Sequence, residues 1–223
     1  MAFGLLFDAL FYGNAQHNRL IRLDTPLGED WLVPMYAKGR SRLGRDYEFV
    51  VDVATSYADR LDLKVLIAQP VTLWLQQSDG DYLPHHGYVK SFSRLGSDGY
   101  LAFYQLRFSS WMCFLPLRRD IRDWQEQTGE QIVADVFDQH PQAQGAYRFD
   151  LRQAMPQYSN RVQWEDDWNF VHRSLDEAGA FGRFEQAEDG KSHSLVLMDD
   201  LYFVPQLAQQ TVRFHRTGLR EEV

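Results

Sequence analysis

The sequence predicts a mainly β protein with helical insertions, in the α+β class, built around two antiparallel β-barrel units. Segments that alternate apolar and polar residues recur at short spacing with turn residues between them, which is typical of antiparallel barrels and sandwiches. Aromatic residues make up 14% of the chain, and flat rings suit a pleated surface. Two segments instead place apolar residues at helical spacing. The 223 residues suffice for one large domain or two small ones.

Residues 1–119 are predicted to form the first barrel. Turn residues such as Thr25–Gly28 and Ser78–Asp81 separate its strands, and Ala58–Leu66 indicates a short helical turn. Pro34 cannot donate a ladder hydrogen bond, so its strand is expected at an edge or a bulge. The predicted strands are Arg19–Asp24, Asp30–Tyr36, Tyr47–Ala54, Val71–Gln76, His86–Phe92 and Tyr100–Phe108.

The N-terminal stretch is apolar, but Asp8 interrupts it and it lacks a basic start. It is too short and broken to span a bilayer, and without a small-residue cleavage site it predicts no signal peptide. We expect Ala2–Phe11 to form a short helix or strand that covers the body of the protein. A disordered or partner-docking arm is the alternative.

Residues 120–158 are predicted to form a helical connector. Thr128, followed three residues later by Gln131, matches a capping box. His140-Pro141 would end the helix, and weak alternation over Tyr147–Leu151 predicts a short strand. The apolar stripe of this helix would consist of Ile132, Val133, Val136 and Phe137.

Residues 159–223 are predicted to contain a helix and the start of a second barrel. After the strand Arg161–Trp164, either Asp166 or Asp167 is expected to cap the helix, and Gly179 to end it. Its buried face would consist of Trp168, Val171, Leu175 and Ala178. The strands Ala180–Gln186 and Ser194–Met198 would form a hairpin, with further strands at Leu201–Val204 and Thr211–His215. Because no closing strand follows, we expect this chain to be part of a longer protein.

The formal net charge of −8 argues against general nucleic-acid binding, because an acidic surface repels phosphates. Lys38–Arg45 is a basic loop within this acidic chain; a solvated loop is the default interpretation and contact with an acidic partner surface is the alternative. Cys113 is the single cysteine, so no internal disulfide can form. Its apolar surroundings predict a buried, inert thiol.

No catalytic, cofactor-binding or metal-binding residue is predicted, and we expect the protein not to be an enzyme. His85 and His86 would point to opposite faces of a strand, so a surface turn beside Pro84 is favoured over a metal site. Capping accounts for Asp166 and Asp167 without catalysis. The other histidines lack a cysteine or carboxylate at ligand spacing: His140, His172, His193 and His215. Turn chemistry accounts for Asp199-Asp200.

A glycan- or small-molecule-binding barrel is an alternative hypothesis. Four aromatic residues with an exposed pattern could stack on sugar rings: Trp74, Tyr82, Tyr88 and Tyr100. Cross-strand pairing that stabilises the sheet is the preferred interpretation.

Two segments together resemble the VgrG family, the spike tip components of type VI secretion. Arg22–Leu32 resembles the family's "TPLG" opening, and Trp164–Asp200 resembles its acidic-turn, helix and hairpin signature. His86–Val89, Trp111–Arg119 and Gln125–Asp135 match intermediate landmarks in the same order. The chain departs from the family where a cysteine often precedes Val162-Gln163 and where the strand after Gly179 is usually more aromatic.

The resemblance implies a phage-baseplate-hub-like fold of two related barrels, the second incomplete here. It implies a structural hub, not an enzyme, which forms a homotrimer and joins a sixfold tube to a threefold needle. Its partners would be the tube protein, baseplate components and effector or adaptor proteins. It would sit in the bacterial cytoplasm before export by the contractile apparatus, without membrane insertion. A hub of a contractile phage or phage-like particle is the alternative. No deep pocket lined by shifted titratable groups is expected, least of all around His172 with Asp166 or Asp167.

Overall fold

A computed structural model describes residues 16, 19–57, 61–202 and 204. The strands are β1 (Ile21–Asp24), β2 (Val33–Arg40), β3 (Glu48–Thr55), β4 (Pro70–Gln76), β5 (Tyr82–Ser97), β6 (Ala102–Ser109), β7 (Arg122–Thr128), β8 (Tyr147–Asp150), β9 (Gln157–Gln163), β10 (Phe181–Gln186) and β11 (His193–Met198). The helices are the 3-10 helix Trp111–Leu117, α1 (Gly129–Phe137) and α2 (Asp167–Glu177).

Strands β1 to β6 form one antiparallel sheet in the order β1-β4-β5-β6-β3-β2, here called the curled sheet. Its two edge strands lie beside each other because the sheet curls into a partial barrel. Gln16 bridges these edges: its Nε2 donates to the Leu23 carbonyl at 3.1 Å and to the Leu32 carbonyl at 3.5 Å. The predicted first β unit is therefore confirmed as a curled antiparallel sheet.

Pro34 occupies the position that its chemistry requires. It lies in the edge strand β2, and the register with β3 shifts between Pro34 and Tyr36. Strand β2 extends to Arg40. The prediction that Lys38–Arg45 forms a basic loop was therefore wrong in part, because Lys38 to Arg40 belong to β2. Only the residues from 41 onward connect β2 to β3.

The second unit comprises residues 111–198 and contains two small sheets and both α-helices. Strands β7 and β9 pair antiparallel as a two-stranded ribbon, while β10, β11 and β8 form the second sheet. In that sheet β8 runs parallel to β11. Strand β7 had been predicted as part of a helical connector, and that prediction was wrong, because Arg122–Thr128 gains its ladder partner from β9, some thirty residues later.

Both helix starts match their sequence signals. Thr128 and Gln131 form the reciprocal capping box of α1. Asp166 caps α2 by accepting a hydrogen bond from the Asn169 N–H at 2.9 Å. Gly179 follows α2 with a φ of +68°, the left-handed conformation expected of a helix-ending glycine. The buried face of α2 includes Phe170, which the predicted face omitted, whereas Trp168 is only half-buried.

Two hydrophobic cores lie side by side. One fills the concave side of the curled sheet with residues such as Val51 and Leu106, both fully buried. The other lies between the helices, the ribbon and the second sheet, with Trp111 and Phe170 inside it. Phe184 contacts both cores, so the two units share an apolar boundary.

Some predicted elements are absent or fall outside the described residues. Leu201 and Tyr202 lie in a turn and not in a strand, so that prediction was wrong. The predicted elements Ala2–Phe11 and Thr211–His215 lie outside the described residues, as does part of Ala58–Leu66. The division into residues 1–119, 120–158 and 159–223 stays a prediction.

Candidate functional site

Several hydrogen bonds cross the contact between the curled sheet and the second unit. The Thr72 hydroxyl on β4 donates to the Gly190 carbonyl at 2.5 Å, and the Gly44 N–H donates to the Gly182 carbonyl at 2.8 Å. The His86 N–H donates to the Gln186 Oε1 at 2.9 Å. These bonds tie three strands or loops of one unit to the β10–β11 hairpin of the other.

His86 and His193 meet at the centre of this contact, with their Nδ1 atoms 2.8 Å apart. The Trp111 N–H donates to His193 Nε2 at 3.1 Å, so this nitrogen carries no proton. Neutral His193 therefore carries its proton on Nδ1 and donates it to His86 Nδ1, which leaves the His86 proton on Nε2. Two short contacts thus fix the tautomers of both rings.

Burial keeps both of these histidines neutral. It lowers the pKa of His193 to about 3, with the neighbouring His86 acting in the same direction. Burial also lowers the pKa of His86, against a smaller opposite effect from Asp189. The prediction that His85 and His86 form a surface turn was wrong: both lie within β5, and His86 is only 4% exposed. Their side chains do diverge, since His85 contacts the Phe49 ring.

An open cleft of about 290 Å³ lies beside this pair. The residues that line it include His86, Tyr88, Trp111, Gly145, Lys191 and His193. The expectation concerned a deep pocket, and this cleft is open; even so, two groups with shifted pKa values, His86 and His193, line it. Sequence reasoning missed the site because its two histidines meet only through tertiary packing.

A second buried polar cluster surrounds Asp167, whose side chain is fully buried. His140 Nε2 lies 2.8 Å and Arg118 Nη1 3.0 Å from Asp167 Oδ2, and Gln163 Nε2 donates to Oδ1 at 2.7 Å. Burial alone would raise the pKa of Asp167, but the hydrogen bonds from His140, Gln163 and Arg118 lower it below its usual value. Of the two residues predicted to cap α2, Asp166 is the cap and Asp167 belongs to this cluster. Asp167 lies 27 residues from His140 in the chain, so the spacing around His140 did not predict this contact. Arg118 follows the 3-10 helix and is partly exposed, whereas Asp167 on α2 is fully buried, so the cluster joins these two elements.

The comparisons with known proteins identify the family. The model of the phage tail baseplate hub (GPD) family matches residues 40–222. The chain belongs to this family. VgrG1b of Pseudomonas aeruginosa, described as a type VI secretion system spike protein, is 30% identical over 188 residues, which cover 83% of this chain and 24% of that protein. VgrG4b of the same organism, described likewise, is 31% identical over 183 residues, covering 81% of this chain and 22% of that protein.

Solved structures share the fold of this baseplate hub chain. The Escherichia coli c3393 protein, described as a type VI secretion component similar to the T4 tail proteins gp27 and gp5, has a TM-score of 0.70 at 23% identity and covers 82% of this chain and 50% of its own. A tail protein of Neisseria meningitidis MC58 has a TM-score of 0.55 at 14% identity and covers 80% and 50%. The hub-like, mainly β fold is thereby confirmed. This hub chain spans about a quarter of the length of the curated relatives it matches.

His172 of the hub chain lies apart from Asp166 and Asp167. Its Nδ1 is 3.2 Å from Arg45 Nη1, and the cavity beside it, about 10 Å³, includes neither carboxylate. Burial, aided by the Arg45 charge, lowers the pKa of His172 to about 4. The contact joins the loop after β2 to α2, so its role is docking of the two units.

The four aromatic residues proposed for glycan stacking do not converge in the hub chain. Trp74 Nε1 donates to Asp24 at 2.7 Å, the Arg22 guanidinium lies over the Tyr82 ring, and Tyr88 contacts Phe114. Tyr100 lies beyond the far end of the curled sheet and is 77% exposed. Local partners therefore account for Trp74, Tyr82 and Tyr88.

Cys113 of the hub chain is buried, as predicted. Burial raises the pKa of its thiol to about 12, with Asp46 adding to the shift. Within the described residues, no group of three or more histidine, cysteine or acidic side chains could hold a metal ion. No helix in the same part of the chain is long and apolar enough to cross a membrane.

Proposed function

We propose that this chain is the base of a type VI secretion spike and acts as a structural hub without catalysis. It assembles as a homotrimer that joins a sixfold tube to a threefold needle. The observation that carries this proposal is the family match over residues 40–222, together with 30% identity to proteins described as type VI spike proteins.

The contact between the two units supports a mechanical role. An adaptor between a tube and a needle must keep its β units in fixed orientation, because a loose joint would let the ring deform. The His86–His193 bond, the Thr72–Gly190 bond and the shared core residue Phe184 hold that orientation from both polar and apolar sides.

The proposed partners are a tube protein, baseplate components and effector or adaptor proteins. A distant structural neighbour of Francisella, described as a PdpA-VgrG complex, has a TM-score of 0.57 at 8% identity and covers 82% of this chain and 25% of its own. The matched chain belongs to a complex of two proteins, and we propose that this chain also forms a complex with a second protein. Assembly would occur in the bacterial cytoplasm, followed by export through the contractile apparatus.

Binding to the tube protein tests this function. Purified chain is mixed with rings of the hexameric tube protein from the same particle and imaged by electron microscopy. We expect threefold density of this chain at the end of each ring. A chain that leaves the ring ends bare would contradict the proposal, and so would turnover of a substrate by the purified chain.

A hub of a contractile phage or phage-like particle is the second candidate. The fold of the Neisseria tail protein favours it, since that protein matches 80% of this chain. The same experiment separates the two candidates when it is repeated with tube proteins from a secretion system and from a phage tail. The tube protein that binds identifies the particle.

A further inference from the structure

One face of the β7–β9 ribbon exposes apolar side chains. The ladder pairs Arg122 with Gln163 and Asp123 with Val162, so Ile121 stands opposite Trp164 on the same face as Val162. Ile121 is 81% exposed, Trp164 69% and Val162 40%. Asp123 lies among them, and no ion pair involves it in the described part of the chain. We call Ile121, Asp123, Val162 and Trp164 the ribbon face.

Trp164 is held in a fixed position. Arg119 donates two hydrogen bonds to its carbonyl, at 3.2 and 3.1 Å, and a β-bridge joins Arg119 to Asp166. A large aromatic side chain on rigid backbone is the usual anchor of a protein interface, because little entropy is lost when it docks.

The convex side of the curled sheet carries the opposite charge. Lys38, Val50 and Arg107 stand in one register row across β2, β3 and β6, with Tyr36 and Arg40 flanking Lys38 on the same side of β2. Tyr36 is 56% exposed. In the described residues, no ion pair joins Lys38, Arg40 or Arg107 to a carboxylate. We call these five residues the basic face.

Two carboxylates also lie on the convex side but are engaged locally. Asp52 accepts a hydrogen bond from Gln105 at 2.9 Å, and Glu48 binds Lys90 at 3.3 Å. These two carboxylates therefore do not neutralise the three cations of the basic face. The whole chain, in contrast, has a formal charge of −8. A neighbour that supplies negative charge and an apolar anchor would therefore complement the basic face.

We propose that the ribbon face of one copy docks on the basic face of the next copy. Trp164 and Ile121 would cover Val50 and Tyr36, and Asp123 would approach Lys38 and Arg107. Such a head-to-tail contact uses two different surfaces of the same chain, as a closed ring requires. This inference rests on the proposed hub function and assigns the surfaces through which the hub copies meet.

The test is self-association of the 223-residue chain, measured by sedimentation equilibrium. Four variants are compared with the wild type: Trp164→Ala, Lys38→Glu with Arg107→Glu, Asp123→Lys, and a control, Lys64→Glu. The control changes one exposed lysine of another surface. Circular dichroism checks that every variant is folded.

We expect the wild type and the control to associate, and each of the other three variants to associate at least about tenfold more weakly. An equimolar mixture of the two charge-reversed variants should regain association, because the unchanged ribbon face of one meets the unchanged basic face of the other, and the two reversed faces also attract each other. A monomeric wild type at all attainable concentrations would overturn the proposal. So would unchanged association of Trp164→Ala, or a mixture that stays monomeric.

The outcome is separable from the proposed function. If the wild type binds the tube protein while the three face variants associate normally, only the assignment of the surfaces is wrong. If the wild type associates through these faces but binds no tube protein, the surfaces stand and the proposed hub function is wrong.

Discussion

His86 and His193 lie 107 residues apart in the chain and share a 2.8 Å hydrogen bond between their Nδ1 atoms. The bond crosses from β5 of the curled sheet to β11 of the second sheet. Both rings are neutral in this arrangement, because the Trp111 N–H occupies Nε2 of His193 and protons on both Nδ1 atoms would repel each other. Docking of the two units is therefore linked to the protonation of this pair.

Stability should fall as the pH drops below the pKa of an unfolded histidine, about 6.5. The folded-state pKa of His193 is about 3, so between these values the unfolded state binds a proton that the folded state does not. Linkage then gives a loss of about 2 kcal/mol from His193 alone between pH 7.5 and pH 5. Urea unfolding at the two pH values measures it.

His193→Gln is the variant that isolates this effect. Glutamine keeps an acceptor for the Trp111 N–H and a donor for His86, but it does not titrate. We expect the variant to lose less stability than the wild type over the same pH interval, by about 2 kcal/mol. Equal losses in the two proteins would show that His193 is not held neutral by the fold.

Gly190 should not tolerate a side chain. A Cβ atom at this position would lie 2.5 Å from the Trp74 ring and 2.9 Å from Thr72 Cγ2, and φ is +67°. Gly190→Ala therefore combines backbone strain with overpacking, and we expect a loss of about 2–4 kcal/mol in unfolding free energy. Chemical denaturation provides the measurement.

Gly145→Ala supplies the matched control. Gly145 has a φ of +72°, yet nothing lies within 4 Å of its added Cβ. This variant should lose only the strain component, about 1–2 kcal/mol. If the two alanine variants lose the same stability, the close approach of the Gly190 loop to β4 contributes nothing.

Local signals predicted the elements whose stability comes from nearby residues. Pro34 indicated an edge with a bulge, the Thr128–Gln131 box located the start of α1, and Gly179 located the end of α2. Each of these signals acts within a few residues, so it is readable without the fold.

Partners distant in sequence could not be read in the same way. Strand β7 has a weak pattern of its own and forms because β9 supplies its ladder. His140 and Asp167 carry no spacing that links them, although they lie 2.8 Å apart. The burial of a polar residue can be predicted only when its hydrogen-bond partner is known. For the same reason the sequence did not predict the His86–His193 contact.

Cys113 should be nearly unreactive in the folded protein. With a pKa of about 12, its thiolate fraction at pH 8 is about 10⁻⁴, compared with about a quarter for a free cysteine. Alkylation by iodoacetamide should therefore be at least about a thousandfold slower in buffer than in 8 M urea. Mass spectrometry measures the rate of labelling. Rapid modification of the folded chain would show that the Cys113 thiol is not buried.

Asp167→Asn should destabilise the second unit strongly, although the change is nearly isosteric. The carboxylate is fully buried, and it accepts hydrogen bonds from Arg118, His140 and Gln163. An amide removes the charge that offsets Arg118 and turns one acceptor into a donor. We expect a loss of about 2–4 kcal/mol in unfolding free energy.

The adjacent Asp166→Asn is the control, because asparagine caps a helix as well as aspartate does and should cost less than about 1 kcal/mol. Equal losses for the two variants would show that the buried cluster adds nothing beyond the helix cap.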